Sequence, residues 1–154
     1  MPAQTDYQSL RLENQLCFPL YACAKEVVRH YKPSLDKLDL TYTQYIAMMV
    51  LWEEKSLNVK ELGSRLFLDS GTLTPLLKKL EQKGYLTRHR CEEDERSLII
   101  SVTGEGMKLR ERALEVPEQI AKCICLDPEE AMLLYKVLYK ILHSMSAADA
   151  QAAG

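Results

Sequence analysis

Apolar residues recur at helical spacing along the N-terminal part of the chain. From Leu10 to Tyr31 they return every three or four positions, which is typical of an amphipathic helix with a broad apolar face. Proline fits the first turn of a helix and kinks it elsewhere, so Pro19 predicts that the regular helix begins near Phe18. The Lys32-Pro33 pair is expected to end this helix.

Three further helices are predicted in the middle of the chain. One follows Thr41, and a capping box at Asn58 opens the next. After a glycine-containing turn, the third runs from about Thr72 until Gly84 ends it. Pro75 is compatible with this helix only in the first turn, so the cap is expected near Thr72.

A hairpin and two long helices complete the pattern. Runs of β-forming residues at 85–90 and 97–102 flank a charged segment and predict a hairpin. A helix bent by Pro117 is expected from 104 to about 125, and Asp127 is a strong cap for the last helix. The predicted fold class is therefore mainly α with a small β-hairpin.

Composition sets broad limits on function. The chain of 154 residues suffices for one domain with its own core, with 47% hydrophobic and 27% charged residues. No apolar run approaches the roughly 20 residues that span a bilayer, and no secretory signal is visible, so we expect a cytoplasmic protein without a membrane partner. Because the net charge is only −2, a DNA-binding surface must come from local clustering of charge.

The order of helix, turn, helix and hairpin predicts a winged helix-turn-helix that binds double-stranded DNA. The first residues of its second helix lie nearest the base edges, and those of this chain are hydrogen-bonding types. Two lysines lie one turn further on, where phosphates are expected. The candidate DNA-binding residues of this helix are Asp69, Ser70, Thr72, Thr74, Lys78 and Lys79.

The hairpin adds a basic wing to this candidate interface. Arg88 and Arg90 lie on its first strand, and Arg96 lies at its tip. An arginine at a hairpin tip suits a narrow minor groove, where the negative potential is strongest. Acidic neighbours surround this arginine, and we expect Asp94 to hold the Arg96 guanidinium in position.

One stretch carries a specific resemblance. Residues 66–78 (LFLDSGTLTPLLK), with Gly84 and the DERS segment at 94–97, resemble the multiple antibiotic resistance regulator (MarR) family. The resemblance covers nearly the whole of chain 1–154. It implies a homodimer on a palindromic operator, with dimerisation helices within 8–34 and 104–146 around a DNA-binding region at 41–103.

Within that family, the N-terminal segment indicates one subgroup. Residues 12–22 (LENQLCFPLYA) resemble the organic hydroperoxide resistance regulators (OhrR), which are thiol-based sensors. The resemblance assigns the reactive cysteine to Cys17. It matches Tyr31 and Tyr42 to tyrosines that hydrogen-bond the sulfur across the dimer, whereas Pro19 departs from the aliphatic residue expected there.

A cysteine that senses peroxide must be deprotonated to the thiolate in part of the molecules. Hydroxyl donors and a helix N-terminus both stabilise the thiolate. Peroxide converts the thiolate to a sulfenic acid, which a second thiol traps. The family that this chain resembles includes a two-cysteine branch, which implies that Cys123 of the other subunit is this second thiol. Cys125 is the alternative. The other interpretation is that both cysteines only pack within a dimer-forming helix.

The five cysteines are an odd number, which argues against a disulfide framework, and no cofactor or metal site is expected.

The sequence therefore predicts a transcriptional repressor, not an enzyme, that releases its operator when organic hydroperoxide oxidises Cys17. One alternative keeps DNA binding and replaces oxidation by a small phenolic ligand. Such a ligand would lie in a pocket lined by Tyr21, Tyr31, Tyr42 and Trp52. A second alternative is a thiol peroxidase that uses Cys17.

Overall fold

Seven helices and three strands make up the part of the chain that the computed structural model describes, which is residues 7–92, 94 and 96–152, the last five as backbone only. Two short 3₁₀ turns, Gln8–Leu10 and Leu12–Asn14, precede them. The elements are α1 (Cys17–Asp36), α2 (Tyr42–Glu54), β1 (Ser56–Asn58), α3 (Val59–Leu66), α4 (Ser70–Gln82), β2 (Leu86–Arg90), β3 (Leu98–Val102), α5 (Gly104–Arg112), α6 (Glu115–Ala121) and α7 (Pro128–Ala152). They form two compact units, one up to Ile120 and one from Ala121.

Helix α1 begins one residue before the predicted start but does not end where the sequence predicts. Pro19 is its third residue, in the first turn, where its missing N–H costs no helical bond. The predicted end at Lys32-Pro33 is wrong, because the helix continues to Asp36. The residues after Pro33 are held by packing: Ser34 and Leu35 are buried, and the Ser34 hydroxyl donates to Gln119 Oε1 at 2.5 Å.

Helix α2 forms the centre of the core. Thr41 and Gln44 make a reciprocal capping box at its start. Buried residues lie on several sides of the helix, so it lacks a polar stripe of the usual width. Trp52, near its end, donates its indole N–H to the carbonyl of Gly106 at 2.8 Å and thereby attaches α2 to α5.

Helix α4 starts earlier than the sequence predicts. Its cap is Asp69 rather than a residue near Thr72, because the Asp69 carboxylate accepts the Thr72 N–H at 2.8 Å. The expectation that Pro75 lies in the first turn is therefore wrong: it is the sixth residue of the helix, and Gly71 loses a helical hydrogen bond. The predicted end is confirmed, since Gly84 has φ of +77° and closes the helix.

The sheet has one more strand than the predicted hairpin. Strands β2 and β3 pair antiparallel from Leu86 opposite Val102 to Arg90 opposite Leu98. Strand β1 pairs with the other edge of β3, giving the order β1-β3-β2. With only three residues, β1 is too short to show an alternating pattern.

The single long helix expected from 104 to about 125 is two helices. The break falls at residues 113 and 114, between α5 and α6, and α6 ends at Ala121. Pro117 is the third residue of α6 and has no N–H to donate to the carbonyl of Ala113. The proline therefore ends the first helix one turn before itself instead of bending a continuous helix.

Helix α7 begins as predicted, with Asp127 as its cap. The Asp127 carboxylate accepts the N–H groups of Glu129 and Glu130 at 2.9 Å each. In the range where side chains are described, none of its residues is buried, and its apolar side chains are exposed except for the half-buried Leu138 and Ile141. Across the described residues, no helix is long and apolar enough to span a membrane.

Candidate DNA interface and thiol site

Helix α4, which we call the recognition helix, has one buried apolar face and one exposed polar face. Its leucines at 73, 76, 77 and 80 are buried against α2, α3 and the sheet. The predicted DNA-binding residues lie on the other side and are all exposed: Asp69, Ser70, Thr72, Thr74, Lys78 and Lys79. The amphipathic pattern thus places the candidate contacts on one accessible surface.

Asp69 holds the start of the recognition helix together. Besides the Thr72 N–H, its carboxylate accepts the Thr72 hydroxyl at 3.3 Å. The Thr72 N–H is the main reason that the pKa of Asp69 lies below its usual value. The Thr74 hydroxyl donates to the carbonyl of Ser70 at 2.8 Å, so both threonine hydroxyls remain able to accept but not to donate.

The wing tip is a tight turn built on Asp94. Its carboxylate accepts the main-chain N–H of Arg96 at 3.0 Å, and its carbonyl accepts the N–H of Ser97 at 2.8 Å. The predicted contact to the Arg96 guanidinium is thus replaced by one to the backbone of the same residue. Asp94 shapes the turn, and Arg96 is exposed. Glu92 is exposed, and the two remaining acidic residues of the tip, Glu93 and Glu95, lie outside the described residues.

The two arginines of β2 differ in their surroundings. Arg90 is exposed. Arg88 is half-buried and engages Glu81 of the recognition helix, with its Nη2 at 2.7 Å from the Glu81 carboxylate. The sequence predicts both as candidate DNA contacts because a local pattern does not show that the folded chain brings Glu81 to Arg88.

Cys17 is an exposed free cysteine at the first position of α1. Tyr31 is fourteen residues further along the same helix, which places it about 21 Å away along the axis. The ring of Tyr31 lies against that of Tyr42, with centroids 4.9 Å apart. The structure therefore brings the two predicted tyrosines together and keeps the predicted thiol of the same chain away from them.

The two tyrosines keep their protons at neutral pH. Burial is the main cause that raises the pKa of each above the usual value of tyrosine, and for Tyr31 the neighbouring Tyr42 adds to it. Tyr45 extends the cluster, with its ring 6.0 Å from that of Tyr31 and 6.2 Å from that of Trp52. Protonated phenols are hydrogen-bond donors, which is the form that stabilises a thiolate.

The remaining candidate thiols lie in the segment between α6 and α7. Cys123 and Cys125 are both exposed, and neither is in a disulfide bond. They belong to the compact unit that begins at Ala121. Among the residues that the structure describes, no group of three or more histidine, cysteine, aspartate or glutamate side chains is placed to hold a metal ion.

An open groove of about 610 Å³ lies between α2, α3 and α5. Apolar side chains such as Ile46, Met49 and Leu66 line it, together with Arg65 and Arg110. Of the four aromatic residues expected around a phenolic ligand, Trp52 lines this groove. Its indole N–H is already bonded to a backbone carbonyl and is not available to a ligand.

Known proteins match this chain over most of its length. The family model of the transcriptional regulators SarA/Rot matches residues 29–113. The organic hydroperoxide resistance transcriptional regulator of Bacillus subtilis is 47% identical over 142 residues, covering 92% of this chain and 97% of that protein.

Solved structures agree with the sequence relatives. AbfR of Staphylococcus epidermidis, overoxidized and bound to DNA, is 36% identical with a TM-score of 0.73, over 89% of this chain and 96% of that one. The disulfide-formed structure of AbfR has a TM-score of 0.62 and covers 87% of this chain and 94% of that one. MarR, at 21% identity, shares the fold with a TM-score of 0.74 over 92% of this chain and 97% of that one. The chain therefore belongs to the MarR-type winged-helix transcriptional regulators, in the group of the organic hydroperoxide resistance regulators, and is not an enzyme.

Proposed function

We propose that this protein is a homodimeric repressor that acts in the cytoplasm and releases a palindromic operator when organic hydroperoxide oxidises Cys17. The observation that carries the proposal is the position of this cysteine. It is an exposed thiol on a regulator whose relative is named for organic hydroperoxide resistance, and a regulator 36% identical is known in overoxidized and disulfide-formed states.

A second copy of the chain supplies what the first lacks. Cys17 and the Tyr31–Tyr42 pair lie too far apart on one chain to form a hydrogen bond. An isologous dimer repeats each contact on both sides of its axis. The resemblance to the organic hydroperoxide resistance regulators implies that the tyrosines of one subunit donate to the Cys17 sulfur of the other. Large apolar side chains next to Cys17 and along α7 are exposed in the single chain and support such a dimer, among them Leu16, Phe18, Tyr21, Leu133, Tyr135 and Met145.

The redox step follows from thiol chemistry. The Cys17 thiolate attacks the peroxide and breaks its O–O bond; sulfur loses two electrons and becomes a sulfenic acid, and an alcohol leaves. A second thiol, which we assign to Cys123 of the partner subunit with Cys125 as the alternative, then displaces water and forms a disulfide. Either product removes the thiolate that accepts the tyrosine hydrogen bonds.

DNA binding uses the surface described above. The recognition helix enters the major groove with its first turns, and the lysines at 78 and 79 meet phosphates. Arg96 at the wing tip enters the minor groove. Because the two recognition helices must dock together, about 34 Å apart, a small change in the dimer spoils binding.

Two cysteine variants test the proposal. Cys17→Ser preserves the size of the side chain and cannot form a sulfenic acid, so it should bind the operator and fail to release it under cumene hydroperoxide. Cys23→Ser is the matched control, because Cys23 is an exposed cysteine in the same helix. Release by Cys17→Ser equal to that of the control would refute the proposal.

A further inference from the structure

A single carboxylate joins the recognition helix to the wing. Glu81, in the last turn of α4, accepts three N–H groups of Arg88 in β2. The main-chain N–H reaches Oε1 at 3.0 Å, and Nε and Nη2 reach Oε2 at 2.9 and 2.7 Å. The exposed fractions of the two side chains are 35% and 23%, so the pair is partly withdrawn from water.

We propose that Glu81 and Arg88 are a positioning pair that fixes the wing relative to the recognition helix, and that Arg88 does not itself contact DNA. The inference rests on the proposed DNA binding and concerns a part of the molecule remote in sequence from the sensing cysteine. A recognition helix and a wing that read two different grooves must keep a fixed relative orientation. The pair spans the connection between them.

That connection is short and depends on one glycine. After α4, Gly84 adopts a positive φ, and Gly84 and Tyr85 donate to the carbonyls of Glu81 and Leu80. These bonds end the helix, and β2 then pairs with β3 along its length. The Arg88 contacts add a direct link between the strand and the helix, because they bind both the backbone and the side chain of Arg88 to one carboxylate of α4.

Charge favours this role over a phosphate contact. Arg88 is the main cause that lowers the pKa of Glu81, so the carboxylate is ionised at neutral pH and neutralises the guanidinium. To reach a phosphate, the arginine would have to leave a partner that binds it through two nitrogens and leave a partly buried carboxylate unpaired. Lysine cannot replace it, because an ammonium lacks the planar set of donors.

The two roles predict opposite results for Glu81→Ala. If the pair positions the wing, removal of either partner disorders the same junction, and both single variants lose affinity. If Arg88 binds phosphate, removal of Glu81 frees the arginine, and affinity stays the same or rises. Arg88→Ala would then also lower the slope of log affinity against log salt by roughly one contact.

The experiment uses the full-length reduced protein and a fluorescent duplex that the wild-type protein selects from a random pool. Affinity is measured at several salt concentrations for Glu81→Ala, Arg88→Ala, the double alanine variant and the charge exchange Glu81→Arg/Arg88→Glu. Lys108→Ala is the control, since it removes an exposed cation that is paired with Glu105 on α5. Glu81→Gln, which keeps the volume and one acceptor, replaces Glu81→Ala if thermal unfolding shows that the latter does not fold.

The positioning role predicts a loss of about fivefold or more in each single variant, since charge-assisted hydrogen bonds contribute about 1 kcal/mol or more. The double variant should be no weaker than the weaker single one, the salt slope should stay that of wild type, and the charge exchange should recover part of the affinity. Unchanged affinity in Glu81→Ala with a reduced salt slope in Arg88→Ala would overturn the inference. If wild-type protein selects no duplex, the proposed DNA binding fails as well, which is a different result.

Discussion

At the scale of single residues, Gly106 shows how closely the elements approach one another. Its carbonyl accepts the Trp52 indole N–H, and its N–H donates to the Thr103 hydroxyl at 3.0 Å. The Thr103 hydroxyl in turn donates to the carbonyl of Gly84, after the recognition helix. A Cβ at Gly106 would lie 2.2 Å from the carbonyl oxygen of Tyr85. This glycine is thus required by packing, which no local pattern in the sequence reveals.

Gly106→Ala should therefore lower the free energy of unfolding by about 1–3 kcal/mol, because the added methyl overpacks a backbone junction. Urea unfolding measures it. The control is Gly104→Ala, two residues earlier in the same helix, where a Cβ meets nothing within 4 Å. That change should be neutral or slightly stabilising, since alanine favours the helix. Equal effects of the two changes would contradict the packing role.

Asp69 should make the stability of the protein depend on pH, because its carboxylate caps the recognition helix. The pKa of Asp69 is lower in the folded chain than in the unfolded one. Its contribution to the free energy of unfolding is therefore present above the unfolded pKa and is lost as the pH falls through the folded pKa. We expect the free energy of unfolding to fall with acid below about pH 4. Asp69→Asn keeps the cap without the charge and should show a weaker pH dependence. An identical pH dependence in both proteins would contradict the assignment.

At the scale of elements, the sequence predicts helices well where polar caps and apolar faces coincide. The helix after Thr41, the capping box at Asn58 and the buried leucines of α4 lie where the patterns predict them. Proline is the common source of error. Pro33 and Pro75 lie inside helices because neighbouring residues are held by burial or by a better cap, and such tertiary contacts are not visible in a local pattern.

The recognition helix and the wing also carry a prediction about DNA. Arg96→Ala should weaken operator binding by about 1–3 kcal/mol if its side chain enters the minor groove. Lys79→Ala should weaken binding to all sequences alike and flatten the salt dependence, as expected for a phosphate contact. Fluorescence anisotropy with specific and unrelated duplexes separates the two effects. An unchanged affinity of Arg96→Ala would remove the wing tip from the interface.

At the scale of the whole molecule, the candidate site could be predicted only in part. The resemblance implies a site that Cys17 of one subunit shares with Tyr31 and Tyr42 of the other, and a single chain places the two tyrosines together and its own cysteine apart. The proposed site needs two subunits, and the spacing of residues along one chain does not encode the contacts of a dimer. Arg88 is a second example, because only the folded chain brings it next to Glu81 of the recognition helix.

The dimer leads to a prediction about the second thiol. Peroxide-treated protein should migrate as a covalent dimer in non-reducing electrophoresis, through Cys17 and Cys123 of opposite subunits. The Cα atoms must approach within about 7 Å for this bond to form. Cys123→Ser should abolish the covalent dimer and leave Cys17 to oxidise further. Loss of the dimer in Cys125→Ser instead would reassign the resolving thiol, and loss in neither would leave both cysteines with a packing role.

In the proposed mechanism, oxidation of Cys17 itself releases the DNA. The most direct measurement follows both events in one sample of the complex titrated with cumene hydroperoxide, with release read by anisotropy and the mass of the Cys17 peptide read at each point. Release should rise in proportion to the oxidised fraction of Cys17 and be complete near one equivalent per site. Release while Cys17 remains a thiol, or complete oxidation of Cys17 with the DNA still bound, would contradict it.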